Sequence, residues 1–91
     1  MAIYKINKNL IIQKLDDKTV MFDSDSSVLY TLNETANYIF SQIKKKVSKK
    51  EIVQKMMKRY QAKEKIIDKD VDGIIKDFIK KKIIYPILQK K

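Results

Sequence analysis

The sequence contains neither cysteine nor histidine. Without cysteine there is no disulfide framework and no thiolate metal site. Without histidine the commonest general base and the commonest neutral metal ligand are gone, and with them serine–histidine and cysteine–histidine catalysis. There is one glycine, one proline and no tryptophan. No apolar run approaches the roughly 20 residues that span a bilayer, and Met1–Ile6 lacks a signal-peptide core. A cytoplasmic protein is expected. Of the 21 basic residues only Arg59 is an arginine, although arginine is the favoured residue for bidentate guanine and phosphate contacts.

What is present is lysine, isoleucine and strong patterning. The net charge is +10, which invites a nucleic-acid reading. Lysine and isoleucine codons can be the richest in A and T, so genomic composition accounts for that charge without a basic ligand. Ninety-one residues with 44% hydrophobic content suit one small domain. The expected domain is residues 1–91, with its core at about 10–85 and short tails at either end.

Leu10–Leu15, Thr19–Phe22 and Val28–Leu32 read as three β-strands from alternation and β-forming residues. Asp16-Asp17-Lys18 and Asp23–Ser26 read as turns, so the strands should form an antiparallel meander. Residues 1–9 could add an extended arm. Three amphipathic helices follow. The first carries Ala36, Ile39, Phe40, Ile43 and Val47 on one stripe, with Asn33 as cap and Lys44-Lys45-Lys46 at its carbonyl end. Ser48 and Glu51 form a capping-box pattern before a stripe of Ile52, Val53, Met56, Met57 and Tyr60. Residues 61–67 read as a charged connector and Asp68 or Asp70 as the next cap. The third stripe is Val71, Ile74, Ile75, Phe78 and Ile79, with Asp72–Lys76 and Asp77–Lys81 spaced for ion pairs. Ile83-Ile84-Tyr85 leaves this helix, Pro86 stops its continuation, and Lys90-Lys91 should fray. The predicted fold is α+β and winged helix-turn-helix-like, an N-terminal three-stranded antiparallel sheet followed by three helices.

No catalytic constellation is visible. Asp16-Asp17 and Asp23-x-Asp25 fall in turns, where aspartate commonly bonds locally, so no metal and no cofactor are expected. Met56 and Met57 read as core filling, and Gly73 as sitting on an exposed helix face. Tyr30 and Leu32 should face the core, with Leu29 and Thr31 on the opposite face.

From about Leu15 to Ile84 the chain resembles the PqqD family, named for pyrroloquinoline quinone synthesis protein D and also called the RiPP precursor-peptide recognition element. The matching residues are Val20-Met21-Phe22 with Asp23, Tyr30-x-Leu32-Asn33-x-x-Ala36, Ser48-x-x-Glu51-Ile52, Tyr60, Asp70-Val71 and Ile79-x-x-x-Ile83-Ile84. Two departures bear on turn geometry. Ser26 and Ser27 stand where a glycine is usual before the third strand, and Lys82 where one is usual before the final apolar pair. The resemblance implies a non-enzymatic peptide chaperone. It would bind the leader segment of a ribosomally made precursor peptide and present the rest to a separate modifying enzyme, a radical SAM protein or a leader peptidase. The leader would lie between the third strand and the third helix. The implied peptide-binding residues are therefore Val28, Leu29, Tyr30, Thr31 and Leu32, chiefly through their backbone, and exposed flanks of Val71, Ile74, Ile75 and Phe78. Strand addition suits an uncharged edge strand. Two rivals stand beside this reading. One is a winged helix that binds DNA through helix three, which the single arginine and the acidic start of that helix disfavour. The other is a structural subunit whose edge strand pairs with a second copy. A monomer or weak homodimer is expected.

Overall fold

The structure is a computed structural model that describes residues 3–16 and 18–87. Asp17 of the first predicted turn and the predicted fraying at Lys90-Lys91 lie outside the described residues.

The meander forms as expected. Strands β2 (Leu10–Leu15), β3 (Lys18–Asp23) and β4 (Val28–Leu32) make an antiparallel sheet in the order β2-β3-β4. Its register places Met21 opposite Tyr30 and Thr19 opposite Leu32 on the inner face. The turn into β4 is closed from Asp23, whose carbonyl accepts from the Ser27 amide at 2.7 Å and whose carboxylate accepts from the Asp25 amide at 3.0 Å. That local bonding accounts for Asp23.

The strand count is larger than the expected three. Strand β1 (Ile3–Ile6) and strand β5 (Ile84–Ile87) pair antiparallel in a second, two-stranded sheet. The extended arm thus finds a partner in the chain leaving the last helix. Tyr4 and Ile84 are buried, which gives the pair its apolar reason to form. Pro86 fits because a two-stranded sheet has only edge strands. Asn7 fastens the two ends: its Nδ2 donates to the Lys82 carbonyl at 2.9 Å and its backbone N–H to the Ile83 carbonyl at 3.0 Å.

Helix α1 spans Glu34–Lys44 and helix α2 spans Lys49–Tyr60. Both caps are the expected ones. The Asn33 side chain accepts from the Ala36 amide at 2.8 Å, and Ser48 Oγ from the Glu51 amide at 3.3 Å. Helix α3 spans Glu64–Lys80, so it starts about one and a half to two turns earlier than a cap at Asp68 or Asp70 would place it. The connector is only residues 61–63, and neither Asp68 nor Asp70 is the cap. Lys63 occupies that position with no side-chain cap bond. The physical reason is Ile67, which is buried. It extends the stripe of Val71, Ile75 and Phe78 backwards by one turn.

The core lies between the inner sheet face and the three helices. Met21 and Leu32 supply the sheet side, and Ile39, Ile43, Ile52, Met56, Val71 and Ile75 the helical side. Phe40 and Phe78 meet edge to face, with ring centroids 6.1 Å apart, a favoured geometry for aromatic pairs. Lys49, the first residue of α2, reaches across to α3 and pairs with Asp72 at 3.1 Å and Asp68 at 3.5 Å.

Candidate functional site

Strand β4 is an edge. Among the described residues it pairs only with β3, so one row of its N–H and C=O groups has no strand partner. Nothing charged lies within Val28–Leu32. The alternation expected for this strand is the one observed. Leu32 is buried and Tyr30 half-buried, while Leu29 and Thr31 are exposed on the outer face. Leu29 is 62% exposed and lies opposite Phe22, which in turn lies opposite Ile11, 63% exposed. An apolar row therefore crosses the outer face of the sheet.

Helix α3 approaches the strand at its C-terminal end. The Tyr30 hydroxyl donates to the Lys81 carbonyl at 3.4 Å, and Lys81 Nζ stands 5.5 Å from the centre of the Tyr30 ring. Ile74, half-buried, shares the Lys81 side of the helix, since residues seven apart lie on one face. Asp77 holds Lys81 through an ion pair of 2.9 Å.

This narrows the helix contribution. Val71, Ile75 and Phe78 have no exposed flank: they are 0%, 3% and 2% accessible and belong to the core. Their stripe packs inward as part of the hydrophobic core. Of the four helix residues named from sequence, only Ile74 keeps partial access. Lys81 meets the strand at Tyr30 instead, with Asp77 paired to it. The i, i+4 spacing of Asp77 and Lys81 showed in sequence as an ion pair, but the closeness of Lys81 to Tyr30 depends on how α3 crosses the sheet, which periodicity does not encode.

The N-terminal half of the same helix borders a shallow apolar pocket of ≈ 230 Å³. It is lined by Thr35, Met56, Tyr60, Ala62, Ile66, Ile67 and Asp70. Thr35 brings the first turn of α1 to this pocket.

The site's electrostatics are mixed. Hydrogen bonds from Lys76 and then Lys49 hold the Asp72 carboxyl below its ordinary range. Lys49 is raised: burial works against its charge, but the hydrogen bond to Asp72 and the nearby Asp68 outweigh that cost. Lys76, Lys81 and Lys49 are thus engaged by aspartates. Arg59 is stacked over Tyr38 at 4.7 Å, on the α1–α2 side of the molecule. Among the described residues no group of histidine, cysteine or carboxylate side chains could hold a metal ion. Among them also no helix is long and apolar enough to cross a membrane.

Comparison with known proteins agrees with this fold. The family described as coenzyme PQQ synthesis protein D (PqqD) matches residues 18–84. Among solved structures, TbiB1 in complex with the TbiA(beta) leader peptide superposes with a TM-score of 0.85 at 16% identity, covering 93% of this chain and 99% of that one. A lasso peptide synthetase B1 complexed with the leader peptide gives a TM-score of 0.85 at 17% identity, covering 91% and 98%. At such identities these likenesses establish the fold. No curated protein matches.

Proposed function

The chain belongs to the PqqD family, and from that premise we propose that it is a non-catalytic peptide chaperone for a ribosomally made precursor. It binds the leader segment by strand addition to the open edge of Val28–Leu32 and along the Ile74–Lys81 side of α3. It then presents the rest of the precursor to a separate modifying enzyme. The observation that carries this reading is the uncharged open edge of β4 beside the end of α3. It occurs on a fold shared with two proteins seen with leader peptides. Backbone pairing supplies affinity, and side-chain pockets fix register. Tyr30, Ile74 and Lys81 line the margin where a leader side chain rests, and the exposed Leu29 flanks its outward-facing residues.

The chemistry of modification belongs to the partner, a radical SAM enzyme or a leader peptidase. This chain has no cysteine for an iron–sulfur cluster and no histidine for acid–base work. It acts in the cytoplasm, where ribosomal precursors are made, as a monomer or weak dimer. Fluorescence polarisation tests the reading. Leader peptides from short open reading frames beside the gene are labelled and titrated, with a random DNA duplex as control. At about 0.15 M salt, where surface charges are substantially screened, one leader should bind with sub-micromolar Kd and keep that affinity as salt is raised. Binding to DNA alone, fading with salt, would replace this function with the winged-helix DNA reading.

A further inference from the structure

The sheet has a second open edge. Among the described residues β2 pairs only with β3, so its far side also presents unpaired backbone groups. Against that side runs a groove formed with α1. Two adjoining hollows make it up. One, of ≈ 170 Å³, is lined by Ile12, Lys14, Thr19, Asn37, Phe40, Ser41 and Lys44. The other, of ≈ 280 Å³, reaches from Lys14, Asn37 and Ser41 to Glu34, Tyr38 and Arg59. Along α1 the groove extends from Glu34 to Lys44, about 15 Å at the helical rise, the length of roughly four or five extended residues.

The groove is net basic. Lys14, Lys44 and Arg59 border it against the single acid Glu34. Arg59 is also oriented. Its guanidinium lies over the Tyr38 ring at 4.7 Å and near the Tyr60 ring at 5.8 Å. It also hydrogen-bonds Tyr60, and a stacked guanidinium keeps its remaining donors for a carboxylate. The one arginine of the chain is therefore fixed at this groove, whereas Lys49, Lys76 and Lys81 are engaged by aspartates elsewhere. An edge lysine such as Lys14 can serve simply to repel stray strands. That role does not explain an arginine held between two tyrosines beside Asn37 and Ser41.

We propose that the β2–α1 groove docks an acidic, extended segment of the modifying enzyme by strand addition to β2. The inference rests on the proposed function for the identity of that partner. A second copy of this chain is a poor occupant, because the molecule carries +10 and, among the described residues, Asp23 is the only acid in its strands. The leader belongs to the opposite edge, two strand spacings or about 10 Å away. One small sheet can therefore hold substrate on one side and enzyme on the other.

The test uses a labelled seven-residue peptide alternating glutamate and valine, and the same peptide with proline at its central valine. Titration into the ¹⁵N-labelled protein should shift amides of residues 10–15 and 34–44. The proline peptide, equal in charge, should bind at least tenfold more weakly. The double variant K14E/K44E, both exposed positions, should lose at least tenfold affinity for the acidic peptide and keep its leader affinity within twofold. The enzyme encoded beside the gene should displace the labelled peptide. Equal binding of the two peptides, shifts centred on residues 28–32, the same shifts with a short DNA duplex, or no displacement by the enzyme would each overturn the proposal. If leader binding fails while the acidic peptide still maps to β2, the reading of β4 is wrong and the docking edge stands.

Discussion

Ser27 and Lys82 adopt left-handed backbone angles, with φ of 58° and 61°. These are the positions where the PqqD-like pattern usually has glycine. A side chain in that region costs roughly 1–2 kcal/mol relative to right-handed conformations, part of which glycine repays in chain entropy. Ser27→Gly and Lys82→Gly should each stabilise the fold by up to about 1 kcal/mol, measured by urea unfolding. Gly73, the one glycine of the chain, sits in the exposed face of α3 with nothing within 4 Å of where a Cβ would be. Gly73→Ala should raise stability by up to about 1 kcal/mol as well. No change in the urea midpoint would show that Cβ is not free there. Asp72 supplies a pH dependence. Its folded pKa is depressed, so its contribution is present above the ordinary carboxylate pKa of about 3.9. That contribution is lost as pH falls through the lower folded value. Asp72→Asn should shrink the stability difference between pH 6 and pH 2.5, and an unchanged difference would remove Asp72 from the account.

At the scale of elements, the caps and the edge decide most. Ser48→Ala removes the side-chain acceptor for the Glu51 amide and should cost about 1 kcal/mol, read from the thermal midpoint. Thr31→Pro deletes a strand N–H and crowds the β4 edge. The variant should stay folded by circular dichroism and lose at least tenfold in leader affinity. A folded variant with wild-type affinity would remove strand addition at β4. The three meander strands were legible because each alternates and each is bounded by polar turns. Asn33 and Ser48 were legible because a cap is a local bond. The early start of α3 was not, since Lys63 offers no capping side chain and Ile67 shows its role only against the packed core. The second sheet was hidden for another reason: Ile3–Ile6 and Ile84–Ile87 are about eighty residues apart, and pairing over that distance leaves no local periodic signal. The same limit applies at the site. Alternation placed Tyr30 and Leu32 inward, but which helix-three residues stay accessible depends on a crossing angle. Val71, Ile75 and Phe78 therefore went to the core and Ile74 kept the margin.

For the whole molecule, charge and chain ends are the governing features. Lys81, the lysine beside Tyr30, is paired with Asp77, so leader binding at β4 should depend weakly on salt, whereas binding at the β2 groove should weaken as salt rises. Asn7 joins the two terminal strands through the Lys82 carbonyl and also accepts from the Asn9 amide. Asn7→Ala should cost about 1–3 kcal/mol, because buried polar groups lose their partners, and a variant as stable as the parent would show that the clasp contributes little. The β1–β5 pair places Ile3 directly opposite Ile87, a separation of about 5 Å across an antiparallel pair. A domain entered and left at one point can be spliced into a surface loop of a larger protein with almost no linker. Both edges of its meander would remain open, because the splice falls on the other sheet.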